Sequence, residues 1–123
     1  MGRTLIKISV LYFLLGVSLG YYMSTTEDHT LTGVHAHINL LGWTSLTLAG
    51  LIYHLFPHLT KSLLAKIHFW FHNLGLPVMM IGLWSLLSTG NEGFVPVVAV
   101  GATVTLLGIL CFVINVFFNL NNE

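Results

Sequence analysis

The chain has 123 residues, 55% hydrophobic and only 7% charged, with four Lys or Arg against four Asp or Glu and a formal net charge of zero. A mean hydropathy of +0.87 lies far from that of a soluble domain and predicts an all-α integral membrane protein. Zero net charge leaves no basic surface for nucleic acid, and a single cysteine, Cys111, excludes intrachain disulfides and cysteine-built metal sites.

A hydrocarbon layer about 30 Å thick is crossed by roughly 20 apolar helical residues. The first such run covers residues 4–23. Arg3 and Lys7 ahead of an apolar core match the first two parts of a signal peptide. The small-residue cleavage pattern is missing, however, and Tyr21 and Tyr22 suit an aromatic belt, so a permanent helix is expected. The second run, 33–56, is ended by Pro57; the third covers 62–87; the fourth, 94–118, has Pro96 in its first turn, where a missing N–H costs nothing. The connections STTEDHTLT, PHLTK and STGNEG are short and polar, which predicts a single four-helix up-and-down transmembrane domain over 1–123.

Arg3, Lys7, Lys61 and Lys66 all fall on one side of this arrangement, and Glu27, Asp28 and Glu92 on the other. The positive-inside rule then places both termini in the cytoplasm, in a membrane of the prokaryotic inner-membrane type.

Seven histidines are the unusual feature. Ionisable groups within a span are costly and face a protein interior, a cavity or a cofactor. His29 stands in the acidic loop beside Glu27 and Asp28, and His58 follows Pro57 at the cationic interface, where both read as ordinary surface. His35 and His37 lie one to two turns inside the second run and, at i and i+2, point about 200° apart. Neutral imidazole is a common metal ligand, and a six-coordinate haem takes one on each side of the iron. Two histidines diverging from one helix cannot clamp one iron. His72 counts as roughly 15 Å deeper than His37 at 1.5 Å per residue, and His54, His58 and His68 also lie toward the other end. The partner imidazole is therefore expected from another copy, His35 of one facing His37 of the next. Such a heterologous contact closes as a ring.

VHAHINLLGW followed by LIYHLFP resembles the second-helix region of the catalytic subunit of the haem-copper oxidase superfamily, in particular its nitric oxide reductase and cbb3-type branches. His37, Ile38, Asn39, Leu40 and Leu41 match the run whose histidine binds the low-spin haem, and Tyr53, Leu55 and Pro57 match the closing segment with a one-residue length difference. The likeness covers about 25 residues, weakens through HFWFHNLGLPVMMIGL, and extends to small four-span proteins described as oxidase subunit I-like. HAH is similar to the H-x-H of that family's tenth helix, which serves haems on its two sides. The family's twelve core helices form three quasi-equivalent groups of four, so the resemblance implies a homotrimer with one haem b per subunit between neighbours, and electron transfer with membrane quinol or another redox protein as partner. The family's adjacent histidine pair at copper is missing here, and no covalent His-Tyr element is assignable. Oxygen reduction, nitric oxide reduction and proton pumping are therefore not carried over; what remains is an electron carrier or oxidoreductase with no catalytic residue assigned.

HLFPH and HFWFH place His54 near His58, and His68 over His72, at i and i+4. The loop between them is expected to bring His54 to His68, as a hydrogen-bonding cluster lining a quinone pocket or as a second metal site with His72. Pro77 is expected to free the carbonyl of Asn73 beside His72. Gly42 and Gly50 are read as making room for a flat macrocycle. Two further functions stay open: a gas- or redox-sensing haem protein in which one axial histidine yields, and a haem-free metal-binding bundle centred on the inner histidines.

Overall fold

The computed structural model describes residues 1–123. It is all-helical, with no strand: α1 (Gly2–Thr26), α2 (Thr32–Leu55), α3 (Leu63–Thr89) and α4 (Val95–Asn119). Each is long and apolar enough to cross a membrane. The helices run one to three residues past most of the boundaries expected from hydropathy, because polar termini continue the helix into the interface until a cap stops it.

Those caps are legible. Glu27 in the left-handed region (φ 55°) ends α1, and Gly90 (φ 67°) ends α3, the conformation glycine adopts without steric cost. Pro57 opens a 3-10 turn over Pro57–Lys61. The Ser62 hydroxyl then accepts from the amide of Ala65 at 3.2 Å to start α3. Pro96 sits in the first turn of α4, as expected.

In lipid, apolar burial does not drive helices together, so close approach and hydrogen bonds must. The α3–α4 pair is the tightest. A Cβ on Gly75 would come 2.6 Å from the Thr105 hydroxyl, and one on Gly82 would come 2.9 Å from a Val97 methyl. At the other hairpin a Cβ on Gly50 would come 2.8 Å from the carbonyl of Gly2. Gly42 is covered by the ring of Tyr12. The two glycines read as space for a macrocycle are thus filled by α1.

Two apolar cores result. Leu19, Met23, Val34, Ile38, Leu76 and Met79 fill the half near the acidic loops. Leu5, Leu46, Ala49, Tyr53, Leu59 and Ala65 fill the half near the cations.

Hydropathy did not reveal a π turn within α2, over Ile38–Thr44, where the amide of Ser45 reaches back five residues to Leu40. The Ser45 hydroxyl joins its own amide on the Leu40 carbonyl, at 2.7 Å. Pro77 lies within a continuous α3, and the Asn73 amide donates to the carbonyl of Phe69 at 2.7 Å.

Candidate functional site

His35 and His37 both precede the π turn and leave α2 on different sides. His35 lies half-buried against α1, where its Nδ1 meets the carbonyl of Gly16 at 2.8 Å. Gly16 and Gly20 make the room: a Cβ on Gly20 would stand 2.8 Å from Cε1 of the ring, and one on Gly16 would strike the Asn39 side chain. The Asn39 amide donates to the carbonyl of His35 at 3.0 Å and braces the same turn. His37 is exposed on the outer face of the protomer, with Nδ1 2.7 Å from the carbonyl of Gly33.

A carbonyl only accepts, so in both rings Nδ1 carries the proton and Nε2 keeps its lone pair. Neither Nε2 has a hydrogen-bond partner in the chain. No buried side-chain nitrogen or oxygen is left unpaired, so Nε2 of the half-buried His35 reaches the protomer surface. An imidazole with one nitrogen fixed by a backbone carbonyl and the other free is prepared as a metal ligand.

Of the inner histidines, His68 and His72 meet as their i and i+4 spacing suggested, but His54 is exposed and does not join them. Its neighbour Tyr53, 1% exposed, does so instead, because the i and i+1 positions of α2 point about 100° apart and only one can face α3. The Tyr53 hydroxyl lies 2.9 Å from Nδ1 of His68, Nε2 of His68 lies 3.1 Å from Nδ1 of His72, and Nε2 of His72 lies 2.9 Å from the carbonyl of Leu41. His72 therefore meets α2 at a residue one turn beyond His37 in sequence, where the Leu41 carbonyl lies within the π turn.

Every ring nitrogen of His68 and His72 is engaged, and no group of three or more His, Cys, Asp or Glu side chains converges to hold a metal ion. A shared site of His54, His68 and His72 is not formed within the chain. His58, read as surface, caps the end of α4, its Nε2 3.0 Å from the carbonyls of Asn119 and Leu120. His29 is exposed in the acidic loop, as expected.

Sequence reasoning did not find Tyr53, Asn39 or Asn115 as structural partners. Asn115, wholly buried, donates to the carbonyl of Leu59 at 3.0 Å and accepts from Ser62 and Asn119, tying α4 to the turn before α3. The signal for His35 was present in Gly16-x-x-x-Gly20, a small-residue notch one helix away.

Comparison with protein-family models, with curated proteins and with solved structures finds no match.

Proposed function

We propose that the chain is a haem b-binding integral membrane protein of electron transfer, with the iron held between Nε2 of His35 in one copy and Nε2 of His37 in the next. The observation that carries this reading is the shared state of the two imidazoles, each with Nδ1 tied to a backbone carbonyl and Nε2 free. That donor set fits bis-histidine haem. Haem held so supplies reversible one-electron chemistry.

Within one copy the three histidines that face other helices are already engaged, and His29 and His54 stand exposed on other parts of the chain. His68 and His72 use both nitrogens in their own chain of bonds, and His58 caps α4. An exposed stripe on α2, His37, Leu40, Thr44, Leu48, Leu51 and Leu55, offers a neighbouring copy the whole length of the helix. The contact is heterologous and closes as a ring. Three copies are the number that the likeness to the haem-copper oxidase core implies. In this reading the termini lie in the cytoplasm, by the positive-inside rule, and the haems toward the outer side, where His35 and His37 follow the acidic loop. Membrane quinol is the electron donor in this reading.

The test is haem b per polypeptide on protein purified in mild detergent from cells supplied with haem precursor, together with the mass of the assembly. One haem per chain in a trimer supports the reading; protein without haem under those conditions overturns it.

The unequal seating of the two rings favours one second reading. His37 is exposed and held only from within its own helix, whereas His35 is wedged between two helices. Should His37 yield to carbon monoxide in the reduced protein, shifting the Soret band, the haem senses gas or redox state instead.

A further inference from the structure

A groove of about 930 Å³ opens sideways between α1 and α3 at the end of the bundle that carries the acidic loops. Its size falls within the range of about 300–1,000 Å³ typical of small-molecule sites. Its floor is Val34 and Ile38 of α2, which bracket His35 and His37 in sequence. Leu15 and Leu19 line one wall and Met80 and Ile81 the other, so this stretch of the groove is apolar.

Toward the acidic loops the lining changes. Ser18, Tyr22, Trp84, Ser85 and Ser88 also line the groove, and none of their hydroxyl or indole groups takes part in a hydrogen bond within the chain, Tyr22 and Ser85 being engaged only through their carbonyls. Asp28 and Thr30 close the rim. The Thr30 hydroxyl, with its amide, holds the Asp28 carboxyl below the usual carboxylate range, so the rim carries a negative charge at neutral pH. All four Lys and Arg lie at the opposite end.

We propose that this groove binds a membrane quinol, its ring among the unpaired donors and its isoprenoid tail along the apolar floor. The chemistry selects that occupant. A phosphate-bearing headgroup would meet a carboxylate and no cation. A helix of a second copy would present mainly Leu, Val, Ile and Phe, which leave the donors unanswered. A neutral ring bearing oxygens accepts from them without charge. Binding at this groove stands on its own; its role as the site of electron donation rests on the haem reading above.

The experiment is a titration of the protein in quinone-free phosphatidylcholine nanodiscs with decylubiquinone, followed by tryptophan fluorescence. Saturable quenching is expected, with most of its amplitude lost in Trp84→Phe. Affinity should fall about tenfold or more in the Ser18→Leu, Ser88→Leu double variant, as two hydrogen bonds are removed. Quenching that rises linearly without saturation, as from partition into the bilayer, overturns the proposal. So does saturable quenching that the double variant and Trp84→Phe leave unchanged. Cross-linking of Ile81→Cys protein between copies, with no quinone binding, would overturn it in favour of a second copy. Haem content is read on the same samples. Haem with no saturable quinone binding rejects the groove alone; quinone binding without haem rejects the haem reading alone.

Discussion

The Nε2–H of His72 donates to the carbonyl of Leu41 at 2.9 Å, and that one bond orients every hydrogen in the buried chain behind it. A carbonyl has no proton to give, so Nδ1 of neutral His72 accepts from Nε2–H of His68, and Nδ1 of His68 accepts from the Tyr53 hydroxyl. Nitrogen-15 NMR of histidine-labelled protein in bilayers should show both rings protonated at Nε2 and bare at Nδ1. A proton on Nδ1 of either ring would contradict the order. Tyr53→Phe leaves Nδ1 of His68 without its donor and should cost about 1–3 kcal/mol, read as a lower unfolding midpoint in detergent.

His35→Ala and His37→Ala should each lose haem, while His54→Ala, at an exposed position outside the buried chain, should keep it. In the proposed site the two ligands of one iron come from different copies, so co-expression of the two deficient chains would restore one complete pair wherever His37 of the first meets His35 of the second. Partial recovery of the haem spectrum in the mixture, with none in either variant alone, is the expected result. No recovery on mixing would mean that both ligands act within one copy.

Gly20→Ala places a methyl where the edge of the His35 ring lies, 2.8 Å from Cε1, with the α1 backbone behind it. The ring must turn away, so haem content should fall although both histidines are present and far-ultraviolet circular dichroism is unchanged. Full haem occupancy in this variant would show that His35 is seated elsewhere.

Asn115 is wholly buried and joins the carbonyl of Leu59 to the Ser62 hydroxyl and the Asn119 amide. Asn115→Leu orphans these groups and should destabilise the α3–α4 hairpin by about 1–3 kcal/mol, measurable by steric trapping in bilayers. Asn119→Ala, which removes one of the three bonds, should have a smaller effect.

The Asp28 carboxyl lies below its ordinary range because the Thr30 hydroxyl and amide donate to it. A depressed folded-state pKa contributes stability above the unfolded value, lost as pH falls through the folded one. Amide exchange at Thr30, corrected for intrinsic pH dependence, should therefore show unchanged protection from pH 8 down to about 4, the ordinary carboxylate value, and lose it as pH falls further through the lowered folded value. Asp28→Ala should remove that protection at neutral pH.

Much of the fold was legible because crossing a membrane is a property of each stretch of chain taken alone. Runs of about twenty apolar residues, Pro57, Pro96 and four cations gathered at one end of the bundle define four antiparallel helices before any packing is known. The divergence of His35 and His37 follows equally from helix periodicity. What tertiary structure decided is which group answers which. His54 and Tyr53 are adjacent in sequence, and only the rotation of α2 against α3 selects Tyr53 for His68. The π turn that offers Leu41 to His72, and the glycine notch on α1 that seats His35, depend on the register between helices. That register is set by where small side chains let backbones approach. Hydropathy is blind to it, since lipid and a neighbouring helix are equally apolar.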